Sequence, residues 1–281
     1  MAGMIGSIFG QGRREVKKDE ARKKGIALFF SLFWRKLGKY ALLSFWYFVT
    51  SIPALLFYAW LLLGLSNAEQ LAFLEVLFAL MGSFMLVTLL GGTPFASGFY
   101  YVIRNFYNEE HAWTVSDFLE RTFKNIKQSL VVYLVDAVVI GLILFAIRFY
   151  LIMSVGNAIN YVLLTLVLLV YAIYVMMHSY IWNMIVTFEL KLRDIYKNAF
   201  ILTIMGLGRN LWCLLLNLGL LLLMLGILPI PGMIFMAVLG FGMCGLTTEI
   251  IIFPVIKKHM LDPLTQPAQE ETQTSTEGDI E

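Results

Sequence analysis

Long hydrophobic stretches separated by short polar segments dominate the pattern of this 281-residue chain. An α-helix rises about 1.5 Å per residue, so roughly 20 apolar residues cross a hydrocarbon core of about 30 Å. Each such stretch must be helical, because backbone groups in lipid have no water with which to pair. The sequence therefore predicts an all-α membrane protein with six transmembrane helices. We place them near Ala41–Leu65, Leu71–Ala96, Ser129–Phe149, Tyr161–Thr187, Leu211–Leu228 and Met233–Ile256.

Composition and charge agree with a membrane location and indicate an orientation. The chain is 59% hydrophobic and only 14% charged, which is unusual for a soluble domain. Of its 21 Lys and Arg residues, all but Arg148 lie before the first span, after the last, or in the two long connections between spans two and three and spans four and five. The positive-inside rule then places both termini and both long connections in the cytoplasm.

Two polar ends flank the predicted transmembrane domain, which covers residues 28–260. Residues 1–27 form a basic cytoplasmic head that we expect to be flexible and to rest on anionic lipid. Residues 261–281 form an acidic cytoplasmic tail with six acids and no base, which we expect to be disordered. Cys213 and Cys244 lie in apolar stretches, where cysteine usually serves as a small packing residue.

Three segments follow the same plan of an amphipathic stretch, an outward span, a short turn and a return span. Matched apolar positions are Trp34, Phe123 and Ile204, followed by Leu37, Ile126 and Leu207. The same register matches Tyr47, Asp136 and Asn217, one polar group in each outward span. These matches predict three helix-hairpin repeats related as a parallel repeat. Chance matching between apolar segments is the alternative explanation for part of this similarity.

The cytoplasmic connections contain predicted amphipathic helices. Residues 26–34, 114–127 and 192–199 each carry apolar side chains at helical spacing, and Thr114 or Ser116 is a capping candidate for the second of them. Such a helix lies in the lipid headgroups or docks a cytoplasmic partner, and the sequence leaves both alternatives open. The candidate docking face consists of Phe118, Leu119, Phe123 and Ile126.

Three titratable side chains, Asp136, His178 and Glu249, lie within apolar spans with no basic residue nearby in sequence. A charge at the centre of a transmembrane helix costs at least about 2.5–3.5 kcal/mol, so these groups should face the bundle interior. Their similar distance from the inner ends of their spans predicts one polar layer, to which we add Asn217 and Thr93, the latter beside a predicted helix break at Pro94. Such a layer serves a ligand or proton pathway, or it fixes helix packing through hydrogen bonds.

Several segments resemble a known family. The motifs SFWYFVTSIPALLF, GGTPFASGFYYVIRNFYNEE and WTVSDFLERTFKNIKQSLVVYLV resemble the YesL-type family of polytopic bacterial membrane proteins, whose molecular function is unassigned. The resemblance covers roughly residues 28–260. It implies a multi-pass protein of the bacterial plasma (inner) membrane that is associated with carbohydrate uptake systems, often of the ATP-binding-cassette kind. It supplies no catalytic residues.

Motifs for catalysis and nucleotide binding are absent from the sequence. It contains no HExxH, CxxC, GxSxG or GxxxxGK[ST] pattern and no coupling-loop pattern of an importer permease, so we expect no enzyme activity, no intrinsic ATPase, no metal and no cofactor. The expected partners are the lipid bilayer and the permease or ATPase subunits of an importer, with no nucleic acid. The sequence thus predicts an accessory or regulatory component of a carbohydrate importer. The alternative is a small stand-alone or proton-coupled carrier that uses the Asp/His/Glu layer, and a membrane-embedded enzyme is a third, weaker hypothesis.

Overall fold

The computed structural model describes residues 25–65, 93–153, 158–227 and 229–263. These residues form helices joined by short turns, with no strand among them, which confirms the all-α prediction. The α-helices are α1 (Gly25–Arg35), α2 (Leu37–Leu65), α3 (Ala96–Tyr107), α4 (Thr114–Lys124), α5 (Ile126–Met153), α6 (Ala158–Thr187), α7 (Leu192–Met205), α8 (Leu207–Ile227), α9 (Pro229–Phe235) and α10 (Phe241–Ile256). Two π-helical turns extend α10, Met236–Gly240 at its start and Lys257–Leu261 at its end.

Four helices in the described part of the chain are long and apolar enough to cross a membrane: Ile126–Ile147, Ala158–Thr187, Leu207–Met224 and Met236–Leu261. They coincide with the third to sixth predicted spans and support the membrane assignment. The first predicted span falls in α2, a 29-residue apolar helix. Most of the second predicted span and most of the two charged ends lie outside the described residues, so the count of six spans stays a prediction.

The last helix is the central one. In the most apolar 18-residue stretch of Met236–Leu261, 61% of the residues are buried, compared with 12%, 11% and 17% in the corresponding stretches of the other three candidate spans. α10 packs against α2, α3, α6 and α8. The core is therefore built around a helix whose Gly242 and Gly245 leave room for side chains of α2 and α3.

A one-residue break separates each of three long helices from the helix that precedes it. The break falls at Lys36 before α2, at Asn125 before α5 and at Gly206 before α8, which are equivalent positions of the three matched segments. In each long helix the same three aligned positions then face the core: Tyr40, Leu43 and Tyr47; Ser129, Val132 and Asp136; Asn210, Cys213 and the half-buried Asn217. The first half of the predicted repeat thus has a structural counterpart, whereas the complete hairpin repeat stays a prediction.

Candidate functional site

A buried contact between an acid and a histidine joins the neighbouring helices α5 and α6. Asp136 on α5 and His178 on α6 are 0% and 1% exposed, and Nε2 of His178 lies 2.7 Å from Oδ1 of Asp136. The hydroxyl of Tyr174, one helical turn before His178, donates a second hydrogen bond of 2.5 Å to the same carboxyl oxygen. The other ring nitrogen, Nδ1, lies 3.0 Å from the backbone carbonyl oxygen of Tyr174. Every polar atom of the imidazole therefore has a partner.

Three buried oxygen atoms near this pair have no hydrogen-bond partner: Oδ2 of Asp136, the hydroxyl of Tyr171 on α6 and the hydroxyl of Tyr196 on α7. The hydroxyl of Tyr196 approaches that of Tyr174 without the geometry of a hydrogen bond. Burial raises the pKa of Tyr196, and the negative charge of Asp136 raises it further. The carboxyl group of Asp136 therefore has potential hydrogen-bond donors nearby, Tyr171 and Tyr196, to which it is not bonded.

Glu249 lies in a second polar group around Asn183, which is five residues beyond His178 on α6. Five residues correspond to about 7.5 Å along a helix and roughly 140° around it, so Glu249 and Asp136 meet α6 at different levels and on different faces. Both carboxyl oxygens of Glu249 and Oδ1 of Asn183 are buried without a hydrogen-bond partner. The positive charge of Arg104 on α3 acts on Glu249. The structure thus brings Asp136 and His178 together and separates Glu249 from them, so the predicted single layer is divided into two groups.

Arg104 lies at the C-terminal end of α6. Its guanidinium donates to the backbone oxygen of Val186 at 3.1 Å and to the hydroxyl of Thr187 at 2.6 Å. A cation at a helix C-terminus interacts favourably with the carbonyl groups that lack partners there. The predicted spans contain no basic residue close in sequence to these acids. The residue that acts on Glu249 instead comes from the helix that follows the second predicted span.

The two remaining residues of the predicted layer lie elsewhere in the core. Asn217 donates to the hydroxyl of Thr248 at 3.1 Å, and both residues line a cavity of about 50 Å³ at the centre of the bundle. Ser179, Asn210 and Tyr100 add polar groups to its wall. A cavity of this size and polarity has room for a few water molecules. Thr93 is fully buried, and its hydroxyl approaches that of Tyr47, which lines the same cavity.

The predicted docking face is largely used inside the protein. Phe118 is fully buried and stacks on Phe95, while Leu119 and Ile126 are half-buried. The apolar stripe packs inward because α4 lies against α3 at Gly98, where the lack of a side chain lets the backbone of Phe118 approach. Only Phe123, 62% exposed, remains available.

This result corrects the prediction of a docking surface made of four residues, of which three lie on α4 and Ile126 lies on α5. Trp34 and Ile204, which are equivalent to Phe123 in the matched segments, are also exposed. Each of the three residues lies at the end of the helix that precedes a long helix, and exposed large apolar residues at such positions are typical of contact with the membrane interface. The start of α4 also differs from the prediction. Its N-cap is Trp113, whose backbone N–H donates to Oδ2 of Asp117, in place of a Thr114 or Ser116 cap.

Four residues outside the predicted polar layer shape these two groups. Tyr174 lies four residues before His178, so its position on the same helical face was available from the sequence. Tyr196, Asn183 and Arg104 lie on different helices from the carboxyl group that each approaches. No local pattern indicates such contacts, because they depend on how the helices are rotated about their axes.

Together these observations define a polytopic α-helical membrane protein that has, in the part of the chain described, two buried carboxyl groups and a small polar cavity. The chemistry that they support is hydrogen bonding and proton binding. Among the described residues, no group of three or more His, Cys, Asp or Glu side chains is arranged to hold a metal ion. Comparison of the chain with protein-family models, with curated proteins and with solved structures finds no match.

Proposed function

We propose that this chain is a six-span protein of the bacterial plasma membrane that acts as an accessory or regulatory component of a carbohydrate importer of the ATP-binding-cassette kind. Two kinds of observation support the proposal. The first is the resemblance of its spans and connections to YesL-type proteins. The second is the uneven burial of the α5–α6 hairpin, which leaves a large apolar surface within the membrane for another protein.

The proposal rests mainly on the burial of α6, whose side chains are not buried in its first half and are mostly buried in its second half. From Val175 to Ile185 every side chain except the half-buried Ser179 is buried, whereas none between Ala158 and Tyr174 is. On α5, none of the described side chains between Ala137 and Tyr150 is buried either. The half of the hairpin away from the core therefore has apolar side chains on all sides, among them Val138, Leu142, Phe145, Leu166 and Leu169.

Lipid tails or the helices of a partner can cover such a surface. Transmembrane helices associate through close packing, because lipid provides no hydrophobic drive between them. A tryptophan on a lipid-facing position remains apolar and is tolerated, whereas the same tryptophan in a packed interface separates the helices. This difference distinguishes a lipid-facing surface from a docking surface.

The experiment is purification of the tagged chain from its native membranes in a mild detergent, followed by identification of the co-purified proteins. We expect permease or ATPase subunits of an importer to be recovered. A Val138→Trp and Leu142→Trp double variant should lose them while inserting normally, and Leu222→Trp at an exposed position of α8 is the matched control. Absence of importer subunits, or an unchanged set of partners in the double variant, would contradict the proposal.

A proton-coupled carrier is the second candidate function, and the buried Asp136–His178 pair favours it. A carrier needs a titratable group that is reached from a polar cavity, and the cavity is lined by Ser179, the residue that follows His178 on α6, although neither His178 nor Asp136 lines it. In proteoliposomes a carrier would show sugar-dependent proton flux that Asp136→Asn abolishes. Flux that is absent, or equal in the variant, would leave the accessory function as the better account.

A further inference from the structure

The number of protons that His178 and Asp136 hold follows from their contacts. The backbone oxygen of Tyr174, 3.0 Å from Nδ1 of His178, can only accept a hydrogen bond, so Nδ1 must carry a proton. Nε2 lies 2.7 Å from Oδ1 of Asp136, a distance that requires a proton between the two atoms. The observed geometry thus needs one proton on Nδ1 and a second proton shared between Nε2 and Oδ1.

Loss of the shared proton changes this arrangement. If it passes to water, Asp136 remains as a carboxylate and His178 as a neutral imidazole with its proton on Nδ1. The lone pair of Nε2 then faces a negatively charged oxygen inside an apolar bundle, where such repulsion is weakly screened. The contact that joins α5 to α6 becomes repulsive, and the carboxylate needs other donors.

Two candidate donors for the carboxylate lie close enough to Asp136 for its charge to act on them, the hydroxyls of Tyr171 and Tyr196. The hydroxyl groups of Tyr171 and Tyr196 are buried without hydrogen-bond partners, and so is Oδ2 of Asp136. A buried hydroxyl without a partner is uncommon and unfavourable, so both groups gain from an acceptor that becomes fully charged. Because Tyr196 belongs to α7, a bond from Tyr196 to Asp136 would couple the protonation of the pair to the position of a cytoplasmic-side helix.

We propose that Asp136 and His178 form a proton-binding site with two hydrogen-bonding states. With the proton bound, Asp136 pairs with His178 and Tyr174, as observed. With the proton released, Asp136 exchanges His178 for the hydroxyls of Tyr171 and Tyr196 and draws α7 toward α5. The ligand is the proton itself, and the site does not depend on whether the protein is an accessory component or a carrier.

The charged and titratable surroundings of the site are consistent with this role. In the described part of the chain, the only ion-pair partner of Asp136 is His178. Glu249 of α10 and Arg104 of α3 lie at the Asn183 face of α6, away from the pair. The titratable groups that act on the pair from the packed helices are Tyr171 and Tyr174 on α6 and Tyr196 on α7.

The first test reads the imidazole directly. The chain has three histidines, so His111→Gln and His259→Gln leave His178 as the only one. Nitrogen-15 NMR of histidine-labelled protein in nanodiscs reports which ring nitrogen carries a proton. We expect Nδ1 to stay protonated throughout the pH range in which the protein is folded, with any titration confined to Nε2. A neutral ring that carries its proton on Nε2 alone would overturn the proposal.

The second test measures the coupling to α7. Hydrogen–deuterium exchange of the segment 192–205 should change severalfold with pH in the unmodified chain, after correction for the intrinsic exchange rate. The change should be absent in Asp136→Asn, His178→Gln and Tyr196→Phe. Tyr161→Phe is the control, because Tyr161 is an exposed tyrosine of α6, the helix that carries His178. This variant should retain the pH-dependent change in exchange. A pH response that persists in Tyr196→Phe, or is missing in the unmodified chain, would overturn the two-state coupling.

Discussion

The hydroxyl of Ser44 on α2 accepts a hydrogen bond of 2.8 Å from the backbone N–H of Gly242, which is 198 residues away in sequence. Gly242 directly follows Phe241, at the point where the π-helical turn Met236–Gly240 gives way to α10. A Cβ atom at Gly242 would come within 2.8 Å of the Ser44 oxygen. A small hydroxyl and a glycine therefore allow the first described long helix to pack closely against the central one.

Ser44→Ala should destabilise the protein. The substitution leaves the N–H of Gly242 without its side-chain acceptor in a fully buried position, which costs about 1–3 kcal/mol. Thermal unfolding in detergent measures the change. Ser31→Ala is the control, because the Ser31 hydroxyl bonds only to the carbonyl of Leu28 in its own helix. Equal unfolding temperatures for the two variants would show that the Ser44 contact contributes little.

Gly98→Ala should loosen the packing of α3 on α4. The new Cβ would collide with the backbone oxygen of Phe118 and the hydroxyl oxygen of Thr122. Forcing extra volume into a packed contact typically costs about 1–3 kcal/mol. Gly219→Ala, where nothing lies within 4 Å of the new Cβ, is the control. It should be neutral or stabilising by up to about 1 kcal/mol, because glycine weakens a helix interior. Similar unfolding temperatures for both variants would contradict this packing.

Asp136→Leu should cost more stability than Asp136→Asn. Leucine leaves the donors of Tyr174 and His178 buried without an acceptor, whereas asparagine retains one acceptor oxygen in nearly the same position. Each lost partner costs about 1–3 kcal/mol. A double-mutant cycle with His178→Leu measures the coupling by thermal unfolding. We expect the second substitution to cost much less in the Asp136→Leu background. Additive effects would mean that the two side chains do not interact.

The proposed orientation predicts a simple labelling pattern. After replacement of Cys213 and Cys244, a single cysteine at Gly156 should react with an impermeant thiol reagent in intact cells. A single cysteine at Thr274 should react only after lysis. The reverse pattern would invert the topology, and labelling at both positions would require an odd number of spans.

Local properties of the sequence determined the fold class. The length of an apolar stretch and the need to pair every backbone group in lipid are independent of the neighbours of a helix. The third to sixth predicted spans therefore coincide with the four helices identified as long and apolar enough to cross a membrane. The matched segments also predicted an amphipathic stretch before each outward span, whereas the helix breaks at Lys36, Asn125 and Gly206 emerged only from the structure.

The tertiary structure alone decided which polar groups meet. Residues at the same depth can point in any direction, since each residue turns a helix by about 100°. Similar depth therefore predicted a single group of Asp136, His178 and Glu249. The rotation of the helices instead pairs Asp136 with His178 and places Glu249 near Asn183 and Arg104. The amphipathic pattern of 114–127 likewise predicted an apolar stripe but not its packing partner, which is α3 of the same chain. Periodicity records that a face is buried, and only packing determines what buries it.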